Sequence, residues 1–214
     1  MICSYLFMSI AYGMLMTNAG YSWYWTVLIS TFVYTGAFQY VMITLLAGGA
    51  SALTVALTAL LVNSRQVFYS LTMMDTFKKM KGKLLYMIHS LTDETYAIDI
   101  TLMEEQDEEY KQAVMFYAAV ISHLSWILGT LVGSLAGEKI PWDMEGIDFC
   151  MTALFITIVM DQQEHTNNHI PALIGGLTGV VCLFLFGSGS FILPSLILTS
   201  GFMIVMQRKM EENI

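Results

Sequence analysis

The sequence predicts an all-α, polytopic helical membrane protein with about seven transmembrane segments, some of them short, broken or re-entrant. Three observations favour this fold class. Hydrophobic residues make up 56% of the 214 residues and charged residues only 12%, and the mean hydropathy is +0.63, unlike an ordinary soluble domain. No charged residue occurs before Arg65, and such a stretch cannot cover itself with polar surface in water. The apolar runs also approach the roughly 20 residues that a helix needs to cross a bilayer.

Seven apolar runs are candidate spans of a single transmembrane domain over residues 1–214. They lie at about 2–17, 22–47, 50–74, 112–137, 147–161, 170–187 and 190–207. The fifth is short, and the last two form a predicted hairpin because glycine and serine alternate between them. The amino terminus lacks the basic start and cleavage pattern of a secretory signal, so the first run is expected to stay in the mature protein. The segment 75–111 is interrupted by charges and is expected to be cytoplasmic or re-entrant.

The positive charges indicate how the chain is oriented in the membrane. Four lysines follow the third span and a basic pair follows the seventh: Lys78, Lys79, Lys81, Lys83, Arg208 and Lys209. Lysine and arginine near span ends stay on the cytoplasmic side, so we expect the linker 75–83 and the carboxyl terminus to face the cytoplasm. The count of spans then places the amino terminus outside.

The formal net charge is -8 at pH 7, but the excess of acids is local. Five carboxylates stand in one block, at Glu104, Glu105, Asp107, Glu108 and Glu109, a pattern typical of a solvated helix end or loop. We therefore expect no nucleic-acid partner.

Sequence motifs for cofactors and catalysis are missing. There is no P-loop, no HExxH and no GxSxG, and the three cysteines lack metal-ligand spacing, so we expect no cofactor, no metal and no catalytic residue. The loop 161–169 places His165 and His169 four residues apart, beside Asp161 and Glu164. This pattern leaves metal binding on a helix open, although a hydrated loop also explains it.

Small residues predict where helices pack closely. Gly129, Gly133 and Gly137 recur every four positions in the fourth span and therefore lie on one helix face, where they permit close approach of another helix. Gly36 in the second span is also expected to allow a backbone or a small ligand to approach.

A polar group inside a membrane span costs a few kcal/mol and so needs a partner or a function. In the third span, Arg65 and Tyr69 lie one turn apart on one face, with Asn63 two residues before Arg65. A substrate or coupling role for Arg65 is open, and so is an arginine whose head reaches the interface.

Four further polar residues are candidate substrate or coupling groups. Gln39 and Tyr40 lie deep in the second span, where a helix-packing hydrogen bond is the alternative to ligand contact. Asp93 and Glu94 interrupt an apolar segment. That setting favours proton transfer or ammonium binding, with ordinary interface carboxylates as the alternative.

Four elements follow one another in the first half of the chain. They are Thr35 to Tyr40, Leu46 to Ser51, Val62 to Tyr69 and Ser90 to Thr95. Their order and spacing, over about residues 10–100, resemble branched-chain amino acid permeases of the AzlC/YgaZ family. Gln66 stands where that family commonly has histidine.

The resemblance implies the large subunit of a bacterial exporter in the cytoplasmic (inner) membrane. Its substrates would be valine, leucine, isoleucine and similar amino acids, and its partner a small membrane subunit of the AzlD/YgaH type. Without a nucleotide motif, the proton gradient is the expected driving force. A zwitterionic substrate needs groups of both signs, and Arg65 together with Asp93 or Glu94 would supply them.

Two other classes of function remain. A non-catalytic membrane assembly subunit would also have glycine faces, but it would give Arg65 no purpose. An intramembrane metal-dependent enzyme would depend on the loop 161–169 alone.

Overall fold

A computed structural model describes residues 2–139, 145–164, 169–187 and 191–211. These ranges are helical, and the helices are α1 Ile2–Asn18, α2 Trp23–Phe32, α3 Ala37–Ala47, α4 Ala52–Val62, α5 Ser64–Lys79, α6 Leu84–His89, α7 Asp93–Thr101, α8 Glu108–Lys139, α9 Glu145–Glu164, α10 Ile170–Phe186 and α11 Ile192–Glu211. A single turn of 3₁₀ helix at Lys81–Lys83 joins α5 to α6.

Only α8, with 32 residues, is long and apolar enough to cross a membrane unaided, among the helices of the described ranges. Shorter apolar helices are Ile2–Asn18, Ala37–Ala47, Ala52–Val62, Ile170–Phe186 and Ile192–Ile204. Large apolar side chains such as Phe7 and Phe184 are exposed on these helices. Exposed apolar surface of this extent marks contact with lipid or protein.

Two of the predicted spans contain broken helices. The run 22–47 is divided into α2 and α3, and Gly36 just before α3 has a φ of 55°, which favours glycine because it has no Cβ. The run 50–74 is divided into α4 and α5 at Asn63, whose φ of -92° and ψ of 5° interrupt the helix. In each of these two predicted spans, one helix therefore ends and another begins in the middle of the run.

The chain forms two compact units. The first contains Met1–Ile43 and Asn63–Met151, and the second contains Thr44–Val62 and Thr152–Ile214. Inside the second unit, α10 packs against α11, and the hydroxyl groups of Thr178 and Thr199 lie 2.6 Å apart. These two helices correspond to the runs 170–187 and 190–207 that were expected to form a hairpin, and α11 continues to Glu211.

In the first unit, α1 and α8 form the most extensive helix contact in the described part of the chain. The glycine seam, as we call Gly13, Gly129, Gly133 and Gly137, lies at this contact. A Cβ on Gly133 would collide with the backbone of Ile10, and one on Gly13 with the backbone of Thr130. The predicted packing face of α8 is thus turned towards α1 within the same chain.

Gly36 differs from the seam glycines. Among the described residues, no atom lies within 4 Å of the position that a Cβ would occupy there. No backbone from this part of the chain packs against Gly36, and the requirement for glycine comes from the positive φ. Approach of a small ligand at Gly36 stays a prediction.

The seam also gives the direction of α1. Position 129 lies against residues 6 and 9, position 133 against residue 10, and position 137 against residues 14 and 17, so α1 and α8 run in parallel. The Nζ of Lys79 lies 3.3 Å from Oε1 of Glu108, which puts the start of α8 beside the lysine-rich linker. An amino terminus on the opposite side from that linker does not fit this arrangement. The outside placement of the amino terminus came from counting three complete membrane crossings before the linker. Two of those three runs contain broken helices, so each need not be one complete crossing.

Candidate substrate site

The site lies between α5 and α7 in the first unit. Contacts join Arg65 to Asp93, Tyr69 to Tyr96, and Thr76 to Met103. Because the positions advance together along both helices, α5 and α7 run in parallel and begin at the same end of the pair. A hydrophobic core contains the later part of α5 and residues from the following helices: Met73, Phe77, Met80, Met87, Leu91, Met115 and Ala119.

Local sequence explains where α7 begins. Thr92 is the N-cap, and it exchanges side-chain and backbone hydrogen bonds with Thr95 in a capping box. The Thr92 backbone N–H donates to Oγ1 of Thr95 at 2.8 Å. Asp93 and Glu94 follow in the first turn, where the helix dipole favours negative charge. The capping box therefore fixes both carboxylates at the end of α7 that faces α5.

The structure pairs Arg65 with Asp93, one of the two acids expected to meet it. Nη2 of Arg65 lies 2.7 Å from Oδ2 of Asp93, and the two side chains are 25% and 35% exposed. Arg65 is in the first turn of α5, so the amino ends of two helices meet at the pair. Amino ends attract anions. Because both side chains are partly exposed, a small solute can reach the pair. The partial positive charge at the start of each helix adds to the charge of the Arg65 guanidinium.

Glu94 faces a different neighbour. The hydroxyl of Tyr5 in α1 donates to Oε2 of Glu94 at 2.7 Å and lies 2.6 Å from Oγ1 of Thr92. The ring of Tyr5 packs edge-on against Trp126 of α8, with centroids 5.7 Å apart. This contact places the site beside the interior of the longest helix rather than at its ends.

Tyr69 adds an aromatic wall one turn below Arg65. Its ring stacks on Tyr96 with centroids 4.1 Å apart and planes 10° apart, and its hydroxyl interacts with Asp93. Asn63 lies at the N-cap of α5 without a side-chain capping bond. Of the three residues predicted in this span, Arg65 and Tyr69 border the acid directly.

Gln39 and Tyr40 belong to a packing layer. Nε2 of Gln39 donates to Oγ of Ser30 at 3.1 Å, and this hydroxyl lies 3.0 Å from Oγ1 of Thr130. The Tyr40 hydroxyl donates to the carbonyl of Met8 at 2.6 Å. Both side chains are buried, so their described bonds hold the broken second span against α1 and α8.

Sequence reasoning missed an aromatic cluster beside Tyr5, whose ring centroid lies 6.5 Å from that of Tyr34. Tyr34, in the break between α2 and α3, packs against His123 with ring centroids 4.4 Å apart and planes tilted by 30°. The Tyr86 hydroxyl lies 3.3 Å from Nδ1 of His123. No local pattern indicates these contacts, since they join positions far apart in the chain. A threonine followed by two acids could, however, have located the start of α7.

The loop 161–169, where metal binding was left open, lies partly outside the described residues. His165 and the three residues after it lie outside the described residues. Within the ranges that the structure describes, no group of three His, Cys, Asp or Glu side chains could hold a metal ion.

The helices, their exposed apolar surfaces and the charged pair inside the first unit define a polytopic helical membrane protein. The family model described as "AzlC protein" matches residues 1–140. An uncharacterized membrane protein of Helicobacter pylori (strain ATCC 700392 / 26695) is 40% identical over 98% of this chain and 92% of its own length. The chain belongs to the AzlC family.

Two further relatives have more informative names. The branched-chain amino acid transport protein AzlC of Bacillus subtilis (strain 168) is 32% identical over 97% of this chain and 82% of its own length. The inner membrane protein YgaZ of Escherichia coli (strain K12) is 28% identical over 84% of this chain and 76% of its own length. No solved structure matches this chain.

Proposed function

We propose that this chain is the large subunit of a bacterial secondary transporter. It exports valine, leucine, isoleucine and similar hydrophobic amino acids across the cytoplasmic membrane, driven by the proton gradient. Family membership and the name of the Bacillus subtilis relative support amino-acid transport. The single observation that argues for a substrate site is the partly exposed ion pair of Arg65 and Asp93 where two helices begin.

The pair has the chemistry to exchange one carboxylate for another. The carboxylate of an amino acid replaces Asp93 on the planar guanidinium of Arg65, which can hold it through two hydrogen bonds. Asp93, released from Arg65, then receives the substrate ammonium together with Glu94. Broken helices beside such a site are a recurring feature of transporters, because their ends provide polar groups within the membrane.

The apolar part of the substrate requires only apolar walls. The stacked rings of Tyr69 and Tyr96 lie one turn from the charges, and a methionine-rich core lies below them. A branched aliphatic side chain gains stability from burial against such surfaces, whereas a second charge would be left without a partner. Selection of hydrophobic amino acids follows from this difference.

We further propose that a small membrane subunit of the AzlD/YgaH type binds this chain. The resemblance to the family is the reason for the proposal. Exposed apolar side chains on the helices leave surface for such a partner.

Flux of radiolabelled leucine in reconstituted vesicles tests the proposal, with and without the small subunit. We expect saturable leucine flux that lysine and glutamate do not inhibit, and its loss in Arg65→Ala. The matched control is Lys78→Ala, because Lys78 is an exposed base whose ion pair with Asp75 is long, at 3.9 Å.

Two outcomes would contradict the proposal. Leucine flux at the wild-type rate in a stably folded Arg65→Ala protein would leave Arg65 with a structural role only. No flux of any amino acid by the wild type, alone or with the small subunit, would favour the non-catalytic assembly subunit. Retention of a metal by the purified protein, with turnover of a substrate, would favour an enzyme.

A further inference from the structure

Asp99, the third acid of α7, has surroundings opposite to those of Asp93. Asp99 is 1% exposed, and among the described residues neither of its carboxylate oxygens has a hydrogen-bond partner. It lies near the carboxyl end of α7, where the helix dipole disfavours a negative charge. An ionised carboxylate at this position would be buried, unpaired and at the wrong end of its helix.

The helices packed against α7 supply no counter-charge from the described residues. α5 and α8 contact α7, and α1 reaches its first turn through Tyr5. The titratable side chains are Cys3, Tyr5 and Tyr12 on α1, Arg65, Tyr69, Asp75, Lys78 and Lys79 on α5, and Glu108, Glu109, Tyr110, Lys111, Tyr117, His123, Glu138 and Lys139 on α8. Arg65 pairs with Asp93, and Lys79 and Lys111 both pair with Glu108. Among the described residues, none of these bases lies within ion-pair distance of Asp99.

Burial therefore determines the protonation of Asp99. Removing an isolated carboxylate from water costs far more than removing the neutral acid, so the neutral form is favoured. Burial raises the pKa of Asp99 to about 7. The carboxyl group consequently holds a proton under conditions in which an exposed aspartate has lost it.

We propose that Asp99 binds and releases the proton that is coupled to substrate transport. The inference depends on the proposed function, since it assigns the coupling step of the same transporter. The carboxyl holds its proton while α7 is packed as in this structure. It releases the proton to water when α7 moves and the carboxylate becomes hydrated.

The position of both acids on one short helix explains the coupling. Substrate that binds to Arg65 frees Asp93 at one end of α7, and the loss of that ion pair loosens the contact between α7 and α5. Hydration of Asp99 at the other end then becomes easier. Substrate binding and proton release are thus linked through the movement of a single helix of nine residues.

The test compares Asp99→Asn with the matched control Asp75→Asn in vesicles that contain the full chain and the small subunit. Asparagine has nearly the same shape and cannot exchange a proton, and Asp75 is an acid with a fully exposed side chain. Two measurements are made: leucine accumulation driven by a pH gradient, and exchange of labelled for unlabelled leucine without a gradient. We expect Asp99→Asn to lose gradient-driven accumulation while exchange persists, and Asp75→Asn to retain both.

Infrared spectroscopy of the wild type provides a measurement that does not depend on transport. We expect a carboxylic-acid C=O band that disappears as the pH rises through about 7 and that is missing in Asp99→Asn. Accumulation at the wild-type rate in Asp99→Asn, or a wild type whose spectrum lacks such a band, would overturn the inference. If the wild type moves no leucine at all, the proposed function fails, and with it the coupling role. If it moves leucine but ignores the pH gradient, only the coupling role fails.

Discussion

The glycine seam between α1 and α8 and the charged site between α5 and α7 stabilise the first unit in opposite ways. In the seam, missing side chains allow two backbones to approach so closely that a Cβ on Gly133 would collide with Ile10. In the charged site, the side chains of Arg65 and Asp93 form an ion pair between two helices and remain 25% and 35% exposed. The seam is therefore sensitive to volume, and the site to charge and hydrogen-bond geometry.

This difference indicates which part determines folding and which part determines activity. Changes in the seam should alter the fold before they alter transport. Changes in the charged site should alter transport while the fold survives, since a partly hydrated group that loses its partner can still be solvated by water. The following predictions test this division.

The largest expected effect is loss of the folded protein in Gly133→Leu. The added side chain must displace the backbone of α1, which should destabilise the protein by more than about 3 kcal/mol, the upper end of ordinary overpacking. Size-exclusion profiles and thermal unfolding in detergent measure this. The control is Gly176→Leu on α10, where a Cβ meets nothing within 4 Å. Normal assembly and transport by Gly133→Leu would show that the seam is not tightly packed.

Arg65→Lys should reduce leucine flux by about tenfold or more, because a lysine keeps the charge but not the planar fork that binds a carboxylate bidentately. Its thermal stability should stay close to that of the wild type. Flux and unfolding are measured on the same preparation. A variant with normal flux would mean that the guanidinium geometry does not contribute to substrate binding.

A double-mutant cycle over Arg65 and Asp93 should show a smaller effect on stability. Removing Arg65 alone leaves Asp93 without its ion-pair partner, whereas the double variant Arg65→Ala/Asp93→Ala removes both charges. We expect a coupling energy of about 1 kcal/mol, reduced from that of a buried pair by hydration. Additive effects of the two single changes would show that the observed pair contributes nothing to folding.

The pH dependence of the free energy of unfolding should report the titration of Asp99. Because burial raises the pKa of Asp99 from its ordinary value to about 7, the folded protein binds the proton more tightly than the unfolded chain. The stabilisation is complete below the ordinary pKa of about 4, and it is lost as the pH rises through about 7. Asp99→Asn should therefore raise the melting temperature at pH 8 and leave it almost unchanged at pH 4. An equal shift at both pH values would mean that Asp99 does not titrate in this window.

The smallest expected effect is that of single cysteine substitutions, which report the side of the membrane on which each position lies. Single cysteines at Lys79 and Lys209 should react with an impermeant reagent only from the cytoplasmic side, because basic residues are retained there. Labelling of either position from outside intact cells would reverse the assignment. A cysteine at Thr17 locates the opposite end of α1, whose parallel course with α8 predicts the side away from Lys79.

Part of this arrangement could be predicted from the sequence. The cost of an unpaired charge in an apolar run required an acid for Arg65, and the nearby Asp93 and Glu94 were the evident candidates. The choice between them could not be predicted, since adjacent residues on a helix point about 100° apart. The packing of α7 on α5 and α1 turns one acid to Arg65 and the other to Tyr5.

Other features had no local signal. Glycine is common in membrane helices, so Gly36 alone did not indicate that the second span is broken. The contact of Tyr5 with Thr92 joins positions 87 residues apart. Asp99 is a charge in an apolar segment of the sequence, but its burial depends on the tertiary packing of α7.

The break at Gly36 has a stereochemical consequence. The backbone there has a left-handed φ of 55°, and the space around the missing Cβ is open, so chirality rather than size selects the amino acid. An L-alanine should cost about 1–2 kcal/mol. A D-alanine introduced by chemical ligation should fit without strain and stabilise the protein by about 0.4–1 kcal/mol, since it restricts the unfolded chain. At this position the mirror-image residue would be the better substitute.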